Sequence, residues 1–243
     1  MRSILLAGLA ALASGTLWAG SYTVGVEAID YQPVYRGENG QYSGYARELL
    51  DAFASKYGHT LSYRPLPVAR LFDEFLNADT LDFKFPDNAQ WAPDLKKGKT
   101  LSYSQPAITI TEGLMMPAAA KGKPLAAVKS IGTMRGFTPW PYLDAINRKA
   151  IAVTESNTFD ALIQLSLNQR VDGIYIATVV ADYHLGELKK PGALVLDDAL
   201  PLSRSGFSLS TRKHADVLRQ FDEFLVKEKA TVARIRAKYK IPD

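Results

Sequence analysis

The sequence has no cysteine among its 243 residues. Disulfide bonds, catalytic thiolates and zinc or iron–sulfur sites with cysteine ligands are therefore excluded. Histidine is also scarce: His59, His184 and His214 lie far apart in the sequence and lack the i, i+4 spacing of metal ligands on a helix. We therefore expect no bound metal and no cofactor.

Long apolar runs are missing beyond the N-terminus. Residues 4–13, ILLAGLAALA, follow the positively charged Arg2 and precede small residues that end at Ala19. This order is typical of a secretory signal peptide over residues 1–19, cleaved after Ala19, and it indicates a periplasmic protein. A retained membrane anchor is the alternative, because Leu17 stands where a smaller residue usually precedes the cut. No later segment has the ~20 apolar residues of a membrane helix.

Charge of one sign does not dominate the composition. Lysine and arginine together number 29, aspartate and glutamate 25, and the basic residues are spread along the chain. Nucleic acid, which binds to clustered basic surfaces, is therefore not an expected partner. The composition, 47% hydrophobic and 22% charged, is that of a folded protein with room for one large or two small cores.

The chain from Tyr22 onward alternates between strand and helix patterns. The strand-like segments TVGVEAI, TLSY and LDFKF are separated by helical patterns over residues 44–57 and 68–77. An extended segment, 102–116, and a flexible loop, 118–124, precede a second alternating unit that begins at SIGTM. Such alternation predicts an α/β fold with a mainly parallel arrangement of strands.

We therefore predict two α/β lobes. Lobe 1 comprises residues 21–108 and 204–243, and lobe 2 comprises residues 109–203. The helical pattern after residue 213 has no strands of its own, so it should pack on lobe 1. The second unit includes a helix that is predicted to begin near Pro139.

The order of these elements and several short motifs resemble one known family. The motifs are Asn39-Gly40, Gly44-Tyr45, Leu81-Asp82, Tyr103-Ser104-Gln105-Pro106 and Val171-Asp172-Gly173. Over essentially the whole mature chain they are similar to the family-3 extracellular solute-binding proteins, which serve polar amino acid ABC transporters in the periplasm. The resemblance implies a type II periplasmic-binding-protein fold, with two lobes joined by two crossing strands near residues 107–116 and 200–208. It also implies a small polar ligand in the cleft, an amino acid or a related compound, an ABC transporter permease as the partner, and no enzymatic activity. We expect a monomer.

Two residues that relatives use to bind an α-amino acid have no counterpart here. In those relatives an arginine before the Tyr-Ser-x-Pro stretch clamps the ligand carboxylate, and an acid after Val-Asp-Gly holds the ammonium. In this sequence the first window contains Lys96 and Lys97 but no arginine, and Ala177 stands at the second position. A lysine does not reproduce the two-pronged geometry of a guanidinium, so the resemblance leaves the ligand open.

The loops beyond the carboxyl ends of the strands are where open α/β sheets bind ligands, and they supply the candidate site residues. In lobe 1 we expect Tyr31 to stack on the ligand, and Asp87 and Asn88 to accept hydrogen bonds from it. Local capping of the turn is the alternative for the last two. Trp91 is interpreted as a lid or packing residue, and Arg70 on the second helix lies either near the cleft or in solvent.

In lobe 2 the principal candidate is Arg135. It lies in a loop between a strand and a helix, where we expect it to hold an anionic group together with backbone N–H groups. An exposed surface arginine is the alternative. Phe137 and Thr138 share that loop, Asn157 contacts the ligand or caps the next helix, and Tyr175 ends a strand at the same rim.

Two other functions would suit the same fold. A dehydratase or lyase would need a cleft acid such as Asp87 or Glu112 as its general acid or base. A sensor module would instead present the bound ligand to a membrane receptor. The sequence shows no acid–base pair, so we prefer a protein that binds a solute and delivers it to an ABC transporter.

Overall fold

The computed structural model describes residues 19–242. Within them it contains 13 β-strands: β1 (Ser21–Glu27), β2 (Asp30–Tyr31), β3 (Tyr35–Glu38), β4 (Gln41–Ser43), β5 (Thr60–Leu66), β6 (Phe83–Asp87), β7 (Ser102–Tyr103), β8 (Ile108–Met116), β9 (Ser130–Met134), β10 (Ala152–Ser156), β11 (Gly173–Ala177), β12 (Val195–Leu196) and β13 (Ser203–Thr211). The α-helices are α1 (Tyr45–Tyr57), α2 (Val68–Leu76), α3 (Pro93–Lys96), α4 (Leu143–Asn147), α5 (Phe159–Leu167), α6 (Thr178–Glu187), α7 (Ala215–Lys227) and α8 (Lys229–Lys238). Short 3₁₀ helices lie at Ala118–Ala120, Leu125–Ala127 and Trp140–Tyr142. The predicted signal peptide lies outside the described residues except for Ala19.

Three parallel strands organise the first part of the chain. Strand β1 lies between β5 and β6, and its residues Val24 and Val26 are fully buried. Helix α1 turns Leu49 and Phe53 into the core and ends at Gly58, whose φ of 74° is a left-handed conformation that glycine adopts without strain. The helical spacing and the glycine stop predicted from the sequence therefore produce this helix.

A second group of strands follows β8. Strand β9 pairs in parallel with β10 and β11, and β11 pairs antiparallel with β8. The helix predicted to begin near Pro139 opens with a 3₁₀ turn. Residues Trp140–Tyr142 form a 3₁₀ turn, and the α-helix starts only at Leu143. The ring of Pro141 disfavours the α conformation at the preceding residue, Trp140, which delays the regular helix until after this proline.

Strands β8 and β13 connect the two groups. The first half of β13 pairs with β8, from Ser203↔Glu112 to Phe207↔Ile108, and the second half pairs with β6. A register shift between Ser208 and Ser210 marks the change of partner. The sequence suggested two sheets built separately, whereas hydrogen bonds run continuously through these crossing strands. The division into lobes at residues 108 and 204 stays a prediction.

A small three-stranded sheet, β2–β3–β4, extends from the end of β1. The sequence interpretation took this region as a loop. Asn39 and Gly40 form the two-residue connection between β3 and β4, with φ values of 50° and 74°. Such positive φ values at an Asn-Gly pair are typical of a tight hairpin, so the signal was present in the sequence. Tyr31 pairs with Tyr35 across β2 and β3.

The C-terminal helices pack against α1. The ring of Phe53 lies 5.1 Å from that of Phe221 and 5.9 Å from that of Phe224, measured between centroids. On the surface, Lys238 forms an ion pair with Glu48 at 2.5 Å. The helices therefore complete the core beside α1, β7 and β13. Among residues 19–242 there is no helix with the length and apolar character needed to cross a membrane.

Candidate functional site

A cavity of about 320 Å³ lies beside the crossing strands. Its wall combines residues from β1, the β2–β3 hairpin and α2 with residues from β8, β11, β13 and the loop after β9. Eight of the fifteen lining residues are aromatic: Tyr31, Tyr35, Phe72, Trp91, Phe137, Trp140, Tyr175 and Phe207. Both groups of strands therefore contribute to one largely aromatic site.

The aromatic rings contact one another across the two groups of strands. Tyr31, on the hairpin, stacks on Tyr35 with 5.0 Å between ring centroids and 15° between planes. The same Tyr31 ring lies 6.1 Å from that of Phe137, in the loop after β9, and 6.0 Å from that of Phe207 on β13. Trp91 meets Phe207 edge-on at 5.3 Å. Ring–ring contacts thus join the two sides of the cavity.

Two glutamates are the charged residues of the wall. Glu27 ends β1, is 5% exposed, and accepts a hydrogen bond of 2.5 Å from the hydroxyl of Tyr35. Glu112 lies on β8 and accepts hydrogen bonds from Ser205 Oγ at 3.2 Å, Ser203 Oγ at 3.3 Å and Tyr31 OH at 3.5 Å. Both carboxylates are therefore held by hydroxyl groups.

Burial governs the ionisation of these two acids. Loss of solvent raises the pKa of the Glu27 carboxyl above its ordinary value, although Lys84 and the Tyr35 hydroxyl act in the opposite direction. Loss of solvent also raises the pKa of Glu112, against the effect of its three hydroxyl donors. Ionisation of either acid is therefore opposed by burial and favoured by its hydrogen-bond donors.

Asp87 has a different environment from the one expected. Strand β6 extends as far as Asp87, so its side chain is fully buried instead of lying in a turn, and it is not part of the cavity wall. Its carboxylate accepts hydrogen bonds from Ser210 at 2.7 Å and from Lys96 at 2.8 Å, and Lys84 lies at 3.4 Å. Burial opposes ionisation, but the two lysines outweigh it and lower the pKa of Asp87. Its oxygens are thus occupied by the protein itself.

The lysines of this cluster lie behind the aromatic wall. The ammonium of Lys84 is 4.5 Å from the centre of the Phe72 ring and 5.7 Å from that of Trp91, and the ammonium of Lys96 is 5.6 Å from Phe72. Neither lysine is part of the cavity lining.

Asn88 and Arg70 also lie outside the cavity wall. The Asn88 side chain donates to Gly206 O at 2.9 Å and accepts from the Gln90 amide at 2.9 Å, which matches the turn-capping alternative. The side chain of Arg70 is 64% exposed and pairs with Glu74 at 2.8 Å. Arg70 therefore occupies the solvent-exposed position that was its alternative.

Arg135 and Asn157, the polar candidates of the second group, are also absent from the wall. The Arg135 side chain is 65% exposed, and its guanidinium lies 3.6 Å from Glu155. Its loop neighbours Phe137 and Thr138 do line the cavity. Asn157 is exposed and borders a separate surface depression near His184. The geometry therefore points the apolar part of the loop, and not its arginine, at the cavity.

Five of the ten candidates line the cavity: Tyr31, Trp91, Phe137, Thr138 and Tyr175. The Tyr175 hydroxyl lies 2.5 Å from Ser203 Oγ, beside Glu112. The sequence interpretation missed Glu27 as a site residue, and it considered Glu112 only as a catalytic acid. Glu27 could have been found, since it is the last residue of the first strand, where ligands of α/β sheets bind.

The part of the chain that the structure describes holds no group of three or more histidine or acidic side chains arranged to bind a metal ion.

Comparisons with known proteins add a family and a fold. The family model for bacterial extracellular solute-binding proteins, family 3, matches residues 22–241. A search of curated protein sequences found no match. Among solved structures, an ancestral arginine-binding protein bound to arginine is 18% identical, with a TM-score of 0.69 over 90% of this chain and 98% of the other.

Two further structures are similar to the same extent. The substrate-binding protein of an amino acid ABC transporter is 18% identical, with a TM-score of 0.67 over 90% of this chain and 99% of that one. A histidine kinase sensor domain with similarity to periplasmic binding proteins is 20% identical, with a TM-score of 0.70 over 90% of this chain and 95% of that one. At these identities the likeness concerns the fold.

Proposed function

Because the chain belongs to the family-3 bacterial extracellular solute-binding proteins, we propose that it captures a small polar solute in the aromatic cavity and delivers it to an ABC transporter. Its mixed α/β fold is that of the type II periplasmic binding proteins. The observation that carries the proposal is the composition of the cavity wall, which draws Glu27 and Tyr31 from one group of strands and Phe137 and Tyr175 from the other.

The size of the cavity supports a small solute. Its volume of about 320 Å³ is at the lower end of the range of small-molecule sites, roughly 300–1,000 Å³. Aromatic walls with a few polar groups are typical of such sites.

Closure of two lobes on the solute is part of the proposal. Lobe 1 would comprise residues 21–108 and 204–243, and lobe 2 residues 109–203, with β8 and β13 as the hinge. The structure has contacts expected of a closed form: the Tyr31 ring meets Phe137, and a ring nitrogen of His184 on α6 lies 3.2 Å from the carbonyl oxygen of Asp30. A solute that touches both sides stabilises this form over an open one.

The site of action follows from the family and the N-terminus. The family is described as extracellular, and residues 1–19 have the order of charged, apolar and small residues that is typical of an export signal. We therefore place the protein in the periplasm, where an ABC permease meets its binding proteins.

Catalysis is not part of the proposal. Of the two acids considered as general acid or base, Asp87 is fully buried and its carboxylate contacts Lys84, Lys96 and Ser210. Glu112 lies in the cavity, where its hydrogen-bond partners are hydroxyl groups, and Glu27, the other acid of the wall, is itself bound by the Tyr35 hydroxyl. A solute recovered chemically unchanged after long incubation supports this view, and turnover would contradict it.

Uptake measurements test the delivery step. The solute that co-purifies with the protein from the periplasm is identified by mass spectrometry, and its uptake is compared between the parent strain and a deletion strain. We expect the deletion to abolish uptake and the wild-type gene to restore it. Thr138→Trp, which fills the cavity, should fail to restore uptake, whereas Thr154→Trp on the exposed strand β10 should succeed. Intact uptake combined with loss of a cellular response to the solute would instead indicate a sensor.

A further inference from the structure

The charge of the cavity wall restricts the chemistry of the ligand. Among the described residues that line it, Glu27 and Glu112 are acidic, and there is no lysine, arginine or histidine. An anionic group that enters a desolvated cavity without a cationic partner loses its hydration and gains nothing comparable in return. A ligand carboxylate would therefore meet acidic side chains and no basic side chain in the wall.

The two glutamates differ in how their charge is balanced. Glu27 is attracted electrostatically by the positive charge of Lys84. The nearby Asp87 forms ion pairs with both Lys84 and Lys96. The formal charges of these two acids and two lysines cancel. The part of the wall around Glu27 is thus neutral as a unit without any ligand.

Glu112 has no such compensation. Its hydrogen-bond partners are the hydroxyl groups of Ser203, Ser205 and Tyr31, and within residues 19–242 no basic side chain forms an ion pair with it. Hydroxyl donors orient a carboxylate but leave its negative charge in place. A positively charged ligand can then balance the charge of Glu112.

The aromatic residues favour the same kind of ligand. Tyr31 and Tyr175 lie next to the Glu112 group, and Phe137 and Phe207 continue the wall from Tyr31. Faces of aromatic rings attract organic cations, and the attraction grows when water is excluded. An aromatic wall also covers the apolar part of such a molecule.

We propose that the solute is an organic cation with one positively charged group and no carboxylate, and that Glu112 forms the ion pair with it. The inference rests on the proposed function, since it concerns the ligand of the same cavity. It accounts for the absence of an arginine clamp, because a ligand without a carboxylate does not need one.

Matched pairs of compounds test the inference. Protein stripped of bound solute by unfolding and refolding is titrated with phenylalanine and phenethylamine, tyrosine and tyramine, leucine and isopentylamine, each amine being the amino acid without its carboxylate and carrying one positive charge. Choline and 3-(4-hydroxyphenyl)propionate serve as a cation and an anion outside the pairs. We expect at least one of the cations to bind about tenfold or more tightly than any carboxylate-bearing compound.

Variants assign the ion pair to one residue. Glu112→Gln should weaken binding of that cation about tenfold or more, while Glu155→Gln, which removes an exposed acid outside the cavity, should leave it unchanged. The melting temperature of ligand-free Glu112→Gln, which we expect to match or exceed that of the wild type, shows that the variant is folded.

The outcomes separate this inference from the proposed function. Tighter binding of an amino acid or of the anion, or an unchanged affinity in folded Glu112→Gln, overturns the cationic ligand while solute binding stands. Absence of binding by every cation also overturns it. If a wider set of sugars, amino acids and anions fails as well, the proposed function itself is contradicted.

Discussion

The hydroxyl groups of Tyr31 and Tyr35, whose rings stack at 5.0 Å, donate to two different glutamates, Glu112 and Glu27. One hairpin thereby holds both acids of the cavity. The glutamates lie on β8 and β1, so the stacked pair links a crossing strand to the central strand of the first group. Support for the site comes from a part of the chain that the sequence suggested was only a loop.

Removal of the Tyr35 hydroxyl tests this support. In Tyr35→Phe the buried carboxylate of Glu27 loses its donor, and an unsatisfied buried acceptor costs about 1–3 kcal/mol of the free energy of unfolding. Urea denaturation at neutral pH measures the loss. The matched control is Tyr42→Phe, because the Tyr42 hydroxyl is buried and has no hydrogen-bond partner in the structure, so its removal should cost nothing. Equal losses of stability in the two variants would contradict a stabilising hydrogen bond from Tyr35 to Glu27.

Asp87→Asn tests whether Asp87 is structural. The substitution leaves Lys84 and Lys96 buried without their anion, which is expected to lower the free energy of unfolding by about 3–5 kcal/mol. Asp94→Asn, at an exposed position nearby, should change it by less than about 0.5 kcal/mol. A small effect at Asp87 together with a loss of solute binding would return this residue to the role first expected from the sequence.

The pH dependence of stability should reflect the raised pKa of Glu112. Its folded-state pKa lies above the unfolded value, so its contribution is complete below the unfolded pKa and is lost as pH rises through the folded pKa. Ligand-free wild type should therefore lose stability relative to Glu112→Gln as pH rises from acid to neutral. Glu27 is present in both proteins and contributes in the same direction, and its charge adds to the rise in the pKa of Glu112.

Parallel urea curves at several pH values check this expectation. If the difference in the free energy of unfolding between the two proteins stays constant with pH, burial does not destabilise the ionised Glu112 carboxyl. Asp87 contributes with the opposite sign, because its lowered pKa gives stability that disappears as pH falls, and it too is common to both proteins.

Arg135 and Phe137 provide a contrast within one loop. Arg135 is exposed and outside the cavity, so Arg135→Ala should change solute affinity by less than about twofold. Phe137 lines the cavity and contacts Tyr31, so Phe137→Ala should weaken binding about tenfold. Calorimetric titration with the co-purified solute compares the two. The reverse order of effects would favour the anion-binding role expected from the sequence.

The fold was predictable because its signals are local and periodic. The α/β pattern and the family resemblance are confirmed, and the spacing of Leu49 and Phe53 before Gly58 is enough to define α1. Hydrogen bonding between β8 and β13 was not predictable, since pairing of distant strands leaves no local pattern. The hairpin at Asn39-Gly40 had a local signal that was read only as a family motif.

The site was predictable only in part. The rule that ligands bind beyond the strands selected Tyr31, Phe137 and Tyr175, which do line the cavity. It did not foresee the burial of Asp87, because β6 continues to that residue and its side chain binds Lys96 and Ser210 in the interior. Burial of a charged residue depends on such partners, and sequence spacing does not reveal them.

A crystal structure of the protein purified together with its solute tests the central claim most directly. We expect density for one small molecule in the aromatic cavity, touching Tyr31 and Phe137 from opposite sides, with a positively charged group within about 4 Å of the Glu112 carboxylate. A solute bound elsewhere on the molecule, with this cavity filled by water alone, would contradict the account.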